Sequence, residues 1–158
     1  MNVQIVTGDL LEQDVDVIVN AWNRNIIPWW LLLPQGVSGA IKRKGGIAPF
    51  AEVGRAGAIP LGGAVVTGPG RLNFKAIIHV AAINMFWRAS ESSIRMSVRS
   101  TMKLVRERNF ASVAFPVLGS GSGGYNVENA LKLMVDELSK SVGTCQVRIV
   151  CLGPRADA

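Results

Sequence analysis

Hydrophobic positions along this chain switch repeatedly between a period of two and a period near 3.6. Short runs rich in β-branched residues predict strands at Val3-Gln4-Ile5-Val6, Val15 to Asn20, Ala64 to Thr67, Ala76 to Ala82, Ser112 to Val117 and Val147 to Leu152. Between them the spacing becomes helical. Val37, Ala40 and Ile41 mark one face of a helix that Gly45 and Gly46 terminate, and a further turn or two is expected from Pro49 to Arg55. Ile94, Val98, Met102 and Val105 define a long basic helix, and Val127, Ala130, Leu131, Met134 and Leu138 define another, with Asn126 as its N-cap. Helices interleaved with strands predict a three-layer α/β/α arrangement around a central sheet. No repeat, low-complexity segment or linker divides the chain, so one domain over residues 1–158 is expected.

Composition narrows the class. With 158 residues, 49% hydrophobic and 18% charged, the chain is long enough for a substantial core and is globular rather than disordered. The apolar run Ile26 to Leu33 is far short of the ~20 residues that span a bilayer, and it contains Pro28. No membrane association is expected, and the opening residues do not resemble a signal peptide, so a cytoplasmic location is expected. Cys145 and Cys151 stand at opposite ends of a predicted strand, too far apart for a disulfide. Neither has neighbours at metal-ligand spacing, and the only histidine, His79, lies inside an apolar run, as a hydrogen-bonded core histidine would. No metal or cofactor is expected.

The net charge of +6 favours anionic partners in a general way. Lys42, Arg43 and Lys44 form a short basic run, and Arg88, Arg95, Arg99, Lys103, Arg106 and Arg108 lie along the long helix and its approach. Such charges usually coat a solvated helix face, which leaves nucleic acid a weakly supported partner.

The densest local signal is Phe115 to Asn126, a strand running through a glycine-rich turn into a helix. Gly119, Gly121, Gly123 and Gly124 let the backbone reach positive φ and approach a ligand closely, so that N–H groups converge on an anion at a helix N-terminus. Gly119, Gly121 and Gly124 also satisfy the G-x-G-x-x-G pattern of dinucleotide-binding folds. That reading lacks its acidic residue at the end of the next strand, because Glu128, Asp136 and Glu137 all lie on the helix itself. A glycine-rich surface turn with no ligand is the plain alternative.

Taken in order, these segments resemble a macro domain, the ADP-ribose-binding module, over almost the whole chain. Thr7-Gly8-Asp9-Leu10 is similar to the family's opening G-D-I turn, and Val15 to Asn23 to its V-D-x-I-V-N-A-x-N segment. Gly36 to Ile41 resembles its first ligand loop, and Gly62-Gly63-Ala64, the strand containing His79 and Pro116 to Tyr125 continue the match. The resemblance implies a three-layer α/β/α macro-domain-like fold around a central mixed sheet. It implies that Asp9 accepts from the adenine amino group with the Leu10 backbone nearby, that Asn23 binds the distal ribose, and that Gly36, Val37 and Ser38 face the diphosphate from one side. Ser120, Gly121, Ser122, Gly123 and Gly124 would face it from the other, with Tyr125 beside the ribose and Leu152 beside the adenine. For Asp9, a turn aspartate bonding its own backbone is the alternative.

The implied activity is hydrolysis of ADP-ribosyl esters or O-acetyl-ADP-ribose, with Asn23 and Ser38 as the catalytic candidates. The implied partner is ADP-ribose or an ADP-ribosylated macromolecule, and a non-catalytic reader of such targets is the alternative. Several positions depart from the family pattern. Ser38 stands where hydrolytic members often carry an aspartate that positions or polarises water, and a serine is no anionic base at neutral pH. Gly123 replaces an aromatic residue, with Tyr125 either compensating or serving the core. Leu152 replaces an aromatic that stacks on adenine. The segment from Asn23 to Gly36, carrying Pro28, Trp29, Trp30 and Pro34, is longer than usual and serves as a lid, as core or as an interface. A homo-oligomer covering part of the sheet is a further possibility raised by the absence of the usual closing helix.

Overall fold

The computed structural model describes residues 1–31, 36–84, 86–121 and 123–152. In chain order these form β1 (Asn2–Gly8), β2 (Val17–Trp22), α1 (Gly36–Gly45), α2 (Ala48–Gly54), β3 (Ala64–Thr67), β4 (Ala76–Ala81), α3 (Glu91–Glu107), β5 (Ser112–Pro116), α4 (Val127–Ser139) and β6 (Gln146–Leu152). Short 3-10 turns at Leu10–Glu12 and Trp29–Leu31 supplement them. The strands form one sheet in the order β1-β6-β5-β2-β4-β3. Every neighbouring pair is parallel except β3 with β4, which makes the sheet mixed, as expected.

Both faces of the central strands are buried, and successive residues serve opposite layers. Val17, Val19, Ile78, Val80, Val113, Phe115 and Ile149 pack with Ile94, Val98 and Met102 of α3 and with Ala130, Met134 and Leu138 of α4. Ile18, Trp22, Ile77, Ala81, Ala114 and Val150 pack with Ile41 of α1 and with Phe50 and Val53 of α2. The predicted helical faces are thus turned to the core, except that Val127, in the first turn of α4, is exposed. Asn126 caps α4 as expected, accepting from the Asn129 N–H at 3.1 Å, and Ser90 and Ser93 form a reciprocal capping box at the head of α3.

The second strand differs from its expected span, running from Val17 to Trp22 rather than from Val15 to Asn20. Asp16 is consumed by cross-links to the start of β5. Its N–H donates to Ser112 Oγ at 2.8 Å, and its carboxylate accepts from the Ala111 N–H at 2.7 Å. Part of the basic face of α3 is paired with acids. Arg95 reaches Glu91, Asp136 and Glu137, Arg99 reaches Glu137, and Lys103 faces Glu107. Among the described residues no helix is long and apolar enough to cross a membrane.

Phe50 is fully buried between Trp22, at 5.4 Å between ring centroids, and His79, at 6.0 Å. Truncating a buried aromatic of this kind typically costs ~3–5 kcal/mol. Phe50→Ala is expected to lower the unfolding free energy by that amount in urea titrations; a loss below about 1 kcal/mol would mean that α2 is not packed on the sheet as described.

Candidate functional site

Five parallel strands deliver their carboxyl ends to one edge of the sheet, where ligands bind in open α/β folds. Reading across that edge, β1 leads to Asp9, β6 ends at Leu152, β5 opens into the glycine turn, β2 leads to Asn23, and β4 leads to Asn84. Residues far apart in sequence therefore stand in a row. Three strand spacings, roughly 14 Å, separate the strand before Asp9 from the strand before Asn23.

At the β1 end, Asp9 caps the 3-10 turn, with Oδ1 accepting from the Leu11 N–H at 2.9 Å. The local-turn role is therefore present. Oδ2 faces Lys44 Nζ at 3.6 Å, with both side chains well exposed, so this weak ion pair can give way to a ligand donor. The Leu10 side chain is buried and anchors the turn. Leu152 lies in register with Gly8 and is 85% exposed, an apolar side chain beside the Asp9 turn.

The glycine turn is held by its own backbone. Tyr125 N–H donates to the Gly119 carbonyl at 2.9 Å, Gly124 N–H to the Gly121 carbonyl at 3.2 Å, and Ser120 Oγ to the Val117 carbonyl at 2.8 Å. The Gly123 carbonyl accepts from the Ala89 N–H at 3.1 Å. Not all four glycines serve the same purpose. Gly119 (φ 79°) and Gly124 (φ 69°) occupy the left-handed region, whereas a Cβ on Gly123 would lie 2.6 Å from the Gly119 carbonyl oxygen. A Cβ on Gly121 would meet nothing within 4 Å, so this glycine leaves open space at the crevice. Among the described residues, the N–H groups of Gly121 and Gly123 take no protein acceptor. Tyr125 is partly buried against the α3/α4 core, and Ser122 lies outside the described residues.

Across from this turn, Gly36, Val37 and Ser38 form the first turn of α1, whose leading N–H groups have no partner within the helix. Gly36 holds φ 54°. Ser38 is fixed by a contact that its sequence neighbours do not announce: its Oγ donates to Asn20 Oδ1 at 2.8 Å. Asn20 is fully buried, and its Nδ2 meets His79 Nδ1 at 3.0 Å. On the other side of the ring, His79 Nε2 meets Thr67 Oγ1 at 2.8 Å, and Thr67 Oγ1 donates to the Gly68 carbonyl at 3.0 Å.

The orientation of the Asn20 amide sets the proton arrangement. The Asn20 amide nitrogen only donates, so Nδ1 accepts and Nε2 carries the proton, which Thr67 receives while its own hydroxyl proton goes to Gly68. Such a histidine must be neutral. Burial between Trp22 and Phe50 accordingly pulls its pKa from 6.5 down to about 3. His79 is therefore the hydrogen-bonded core histidine expected, and its chain of contacts ends on the loop predicted to face the diphosphate. Asn20 and Thr67 were missed as site-supporting residues. The available signal was a polar residue at an inward position of each of two otherwise apolar strands.

At the far end of the row, Asn23 Oδ1 accepts from the Asn25 N–H at 2.7 Å, which turns the amide so that Nδ2 is left without a partner among the described residues. Asn23 lines an open cleft of about 40 Å³ with Arg24, Ile26, Ile27, Asn84 and Trp87. Asn84 and Trp87 escaped the sequence reading because they follow β4, more than fifty residues after Asn23. The long segment after Asn23 divides its tryptophans: Trp29 packs against the α1/α2 core while Trp30 is 66% exposed. Among the described residues no group of histidine, cysteine, aspartate and glutamate is arranged to hold a metal, and both cysteines are free.

Comparison with known proteins bears on the family and the fold. The family model described as Macro domain matches residues 19–134. A macro domain-containing protein of Caldanaerobacter subterraneus is 30% identical over 164 residues, covering 97% of this chain and 90% of the relative. An O-acetyl-ADP-ribose deacetylase of Salmonella gallinarum is 32% identical over 160 residues, covering 94% and 86%. The solved Oceanobacillus iheyensis macrodomain with ADP superposes with a TM-score of 0.81 at 25% identity, covering 96% of this chain and 83% of that one.

The neutral histidine generates a pH prediction with a definite sign. Unfolded His79 takes up a proton near pH 6.5, whereas the folded ring resists until about pH 3, so acid favours the unfolded state. The contribution is fully present above pH 6.5 and falls as pH drops toward 3. Between pH 7 and pH 5 the wild type is expected to lose about 2 kcal/mol more than His79→Gln in urea titrations. Parallel pH profiles for the two proteins would contradict a neutral buried ring.

Proposed function

Because the chain belongs to the macro domain family, we propose that the row of strand ends from Asp9 to Asn23 binds ADP-ribose, free or attached to a macromolecule. The observation that carries this reading is the order of the groups. A carboxylate and an exposed leucine come first, two loops with unpaired N–H groups follow, and an amide with free donors comes last. That order suits adenine, diphosphate and distal ribose in turn. Asp9 Oδ2 accepts from the adenine amino group, displacing Lys44, while Leu152 covers one face of the base. The Gly36 to Ser38 turn and the Ser120 to Gly124 turn, with Ser122 as part of the latter, grip the diphosphate through backbone donors without a charged side chain. Asn23 Nδ2 donates to a distal ribose hydroxyl, with Tyr125 near that end.

The name of the Salmonella relative supports an esterase reading, in which a water beside the Val37–Ser38 turn attacks the ester carbonyl of an ADP-ribosyl ester or O-acetyl-ADP-ribose. The new bond joins water oxygen to the carbonyl carbon, the carbon–oxygen bond to the sugar breaks, and the released sugar oxygen takes the proton. Ser38 serves this step by position, because its hydroxyl is committed to Asn20. Positioning alone can supply several kcal/mol of barrier reduction. The same commitment favours the alternative of a non-catalytic reader, since no carboxylate stands at that place. The free cysteines suit the reducing cytoplasm. Ion pairs engage Arg95 and Arg99 on α3, which reduces the charge that helix offers to nucleic acid.

Calorimetric titration is expected to show one ADP-ribose per chain. Asp9→Ala should weaken binding roughly ten- to a hundredfold, the range of a charge-assisted hydrogen bond. Gly121→Glu should abolish binding in a folded protein, because its side chain enters open space and repels the diphosphate. Unchanged affinity in either variant would remove that residue from the site.

Catalysis is tested separately on ester-linked protein and on O-acetyl-ADP-ribose. Slow release of the sugar is expected from the wild type and is lost in Asn23→Ala. A wild type that binds ADP-ribose but releases nothing above the enzyme-free control would establish the reader reading instead.

A further inference from the structure

The cleft beyond Asn23 has a wall chemistry that ADP-ribose alone does not use. Ile26, Ile27 and Trp87 form its apolar sides, and all three stand partly open to solvent. Part of its polar lining is already engaged. Asn84 Oδ1 accepts from the Phe86 and Arg88 N–H groups at 2.9 and 3.1 Å, and Arg24 Nε donates to the Ile59 carbonyl at 3.2 Å. Asn23 Nδ2, which has no partner among the described residues, lies where the row of ligand groups enters the cleft.

Both walls are also held in costly backbone conformations. Asn25 has φ 62° and Trp87 has φ 60°, and these are two of the three non-glycine residues with positive φ among the described residues. The third, Asn109, follows α3, where a left-handed residue is an ordinary helix ending. A bulky residue such as tryptophan adopts this conformation at a cost, and such strain concentrates where a surface must be held for a ligand. The asparagines supply the restraint. Asn25 Nδ2 donates to the Val53 and Gly57 carbonyls at 2.7 and 2.8 Å, and Trp87 N–H donates to the Asn84 carbonyl at 3.0 Å.

Position along the sheet completes the case. The β4 end, which supplies Asn84 and Trp87, is the next strand end after that of β2, which supplies Asn23. A group attached to the distal ribose therefore continues the row into this cleft. The cleft's volume of about 40 Å³ has room for roughly three waters at about 10–15 Å³ each, which suits a group of a few carbons rather than a whole ligand. We propose that this cleft is an acyl subsite, which takes the hydrocarbon part of a short fatty acyl group carried on the distal ribose and prefers a four-carbon butyryl chain to acetyl. The inference rests on the ADP-ribose reading above and adds the acyl preference to it.

Binding, rather than turnover, tests it whether or not the chain is an enzyme. The probes are ADP-ribose and two uncleavable analogues, with an acetamido or a butyramido group replacing one distal-ribose hydroxyl, each titrated calorimetrically. Each fully buried methylene strengthens binding about fourfold, so two partly buried ones should make the butyramido analogue about three- to tenfold tighter than the acetamido analogue. Ile27→Ser and Ile26→Ser should each reduce that ratio toward one. The ratio is read within each protein, so a general loss of affinity cancels. Equal or weaker binding of the butyramido analogue to the wild type would overturn the acyl subsite, as would an unaltered ratio in both variants or failure of both analogues where ADP-ribose binds. If ADP-ribose itself does not bind, the ADP-ribose reading fails and the subsite fails with it.

Discussion

One buried chain of hydrogen bonds governs the geometry of this crevice: Ser38 to Asn20, Asn20 to His79, His79 to Thr67 and Thr67 to the Gly68 carbonyl. It runs from the first turn of α1 across β2 and β4 to β3. Each donor in it meets one acceptor, so a proton added to His79 leaves two donors facing each other at Nδ1. An unpaired buried polar group costs about 1–3 kcal/mol, which is why the low pKa of the ring and the position of the α1 turn are one fact rather than two. A helix N-terminus can face an anion only if something fixes where it points. Here that fixed point is a neutral histidine on the sheet.

The other half of the crevice is positioned by different means. Among the described residues, the only side-chain bond in the turn after β5 is that of Ser120 Oγ to the Val117 carbonyl. Backbone bonds close it on itself, and the Gly123 carbonyl ties it to Ala89 ahead of α3. The space for those bonds comes from the absence of side chains at Gly119 and Gly123. Two loops with different supports thus meet above β5 and β2, between the α1/α2 layer and the α3/α4 layer. Loading one need not displace the other, which suits a site that surrounds an elongated ligand.

Much of this was legible in the sequence because it is set locally. The strand runs, the helical faces and the Asn126 cap depend on neighbours within a few residues. Ordered motifs also identified Asp9, Asn23 and the two glycine loops as candidates, and the fold places them along one edge. What escaped depends on distant partners. Asp16 looks like strand until Ser112, 96 residues away, accepts its N–H. Ser38 looks like a weakened catalytic position until Asn20 is seen to hold it. Periodicity likewise says nothing about which of Trp29 and Trp30 turns inward, and it does not bring Trp87 beside Asn23.

The account stands most directly on where ADP-ribose lands. Backbone amide resonances followed by NMR during an ADP-ribose titration would report every contact along the row at once. Saturable shifts with a common affinity are predicted at Asp9 and Leu10, Asn23, Gly36 to Ser38 and Gly119 to Tyr125, with α3 and α4 beyond their first turns unmoved. Shifts confined to the basic face of α3, or none at saturating ligand, would contradict a binding crevice at the carboxyl ends of the strands.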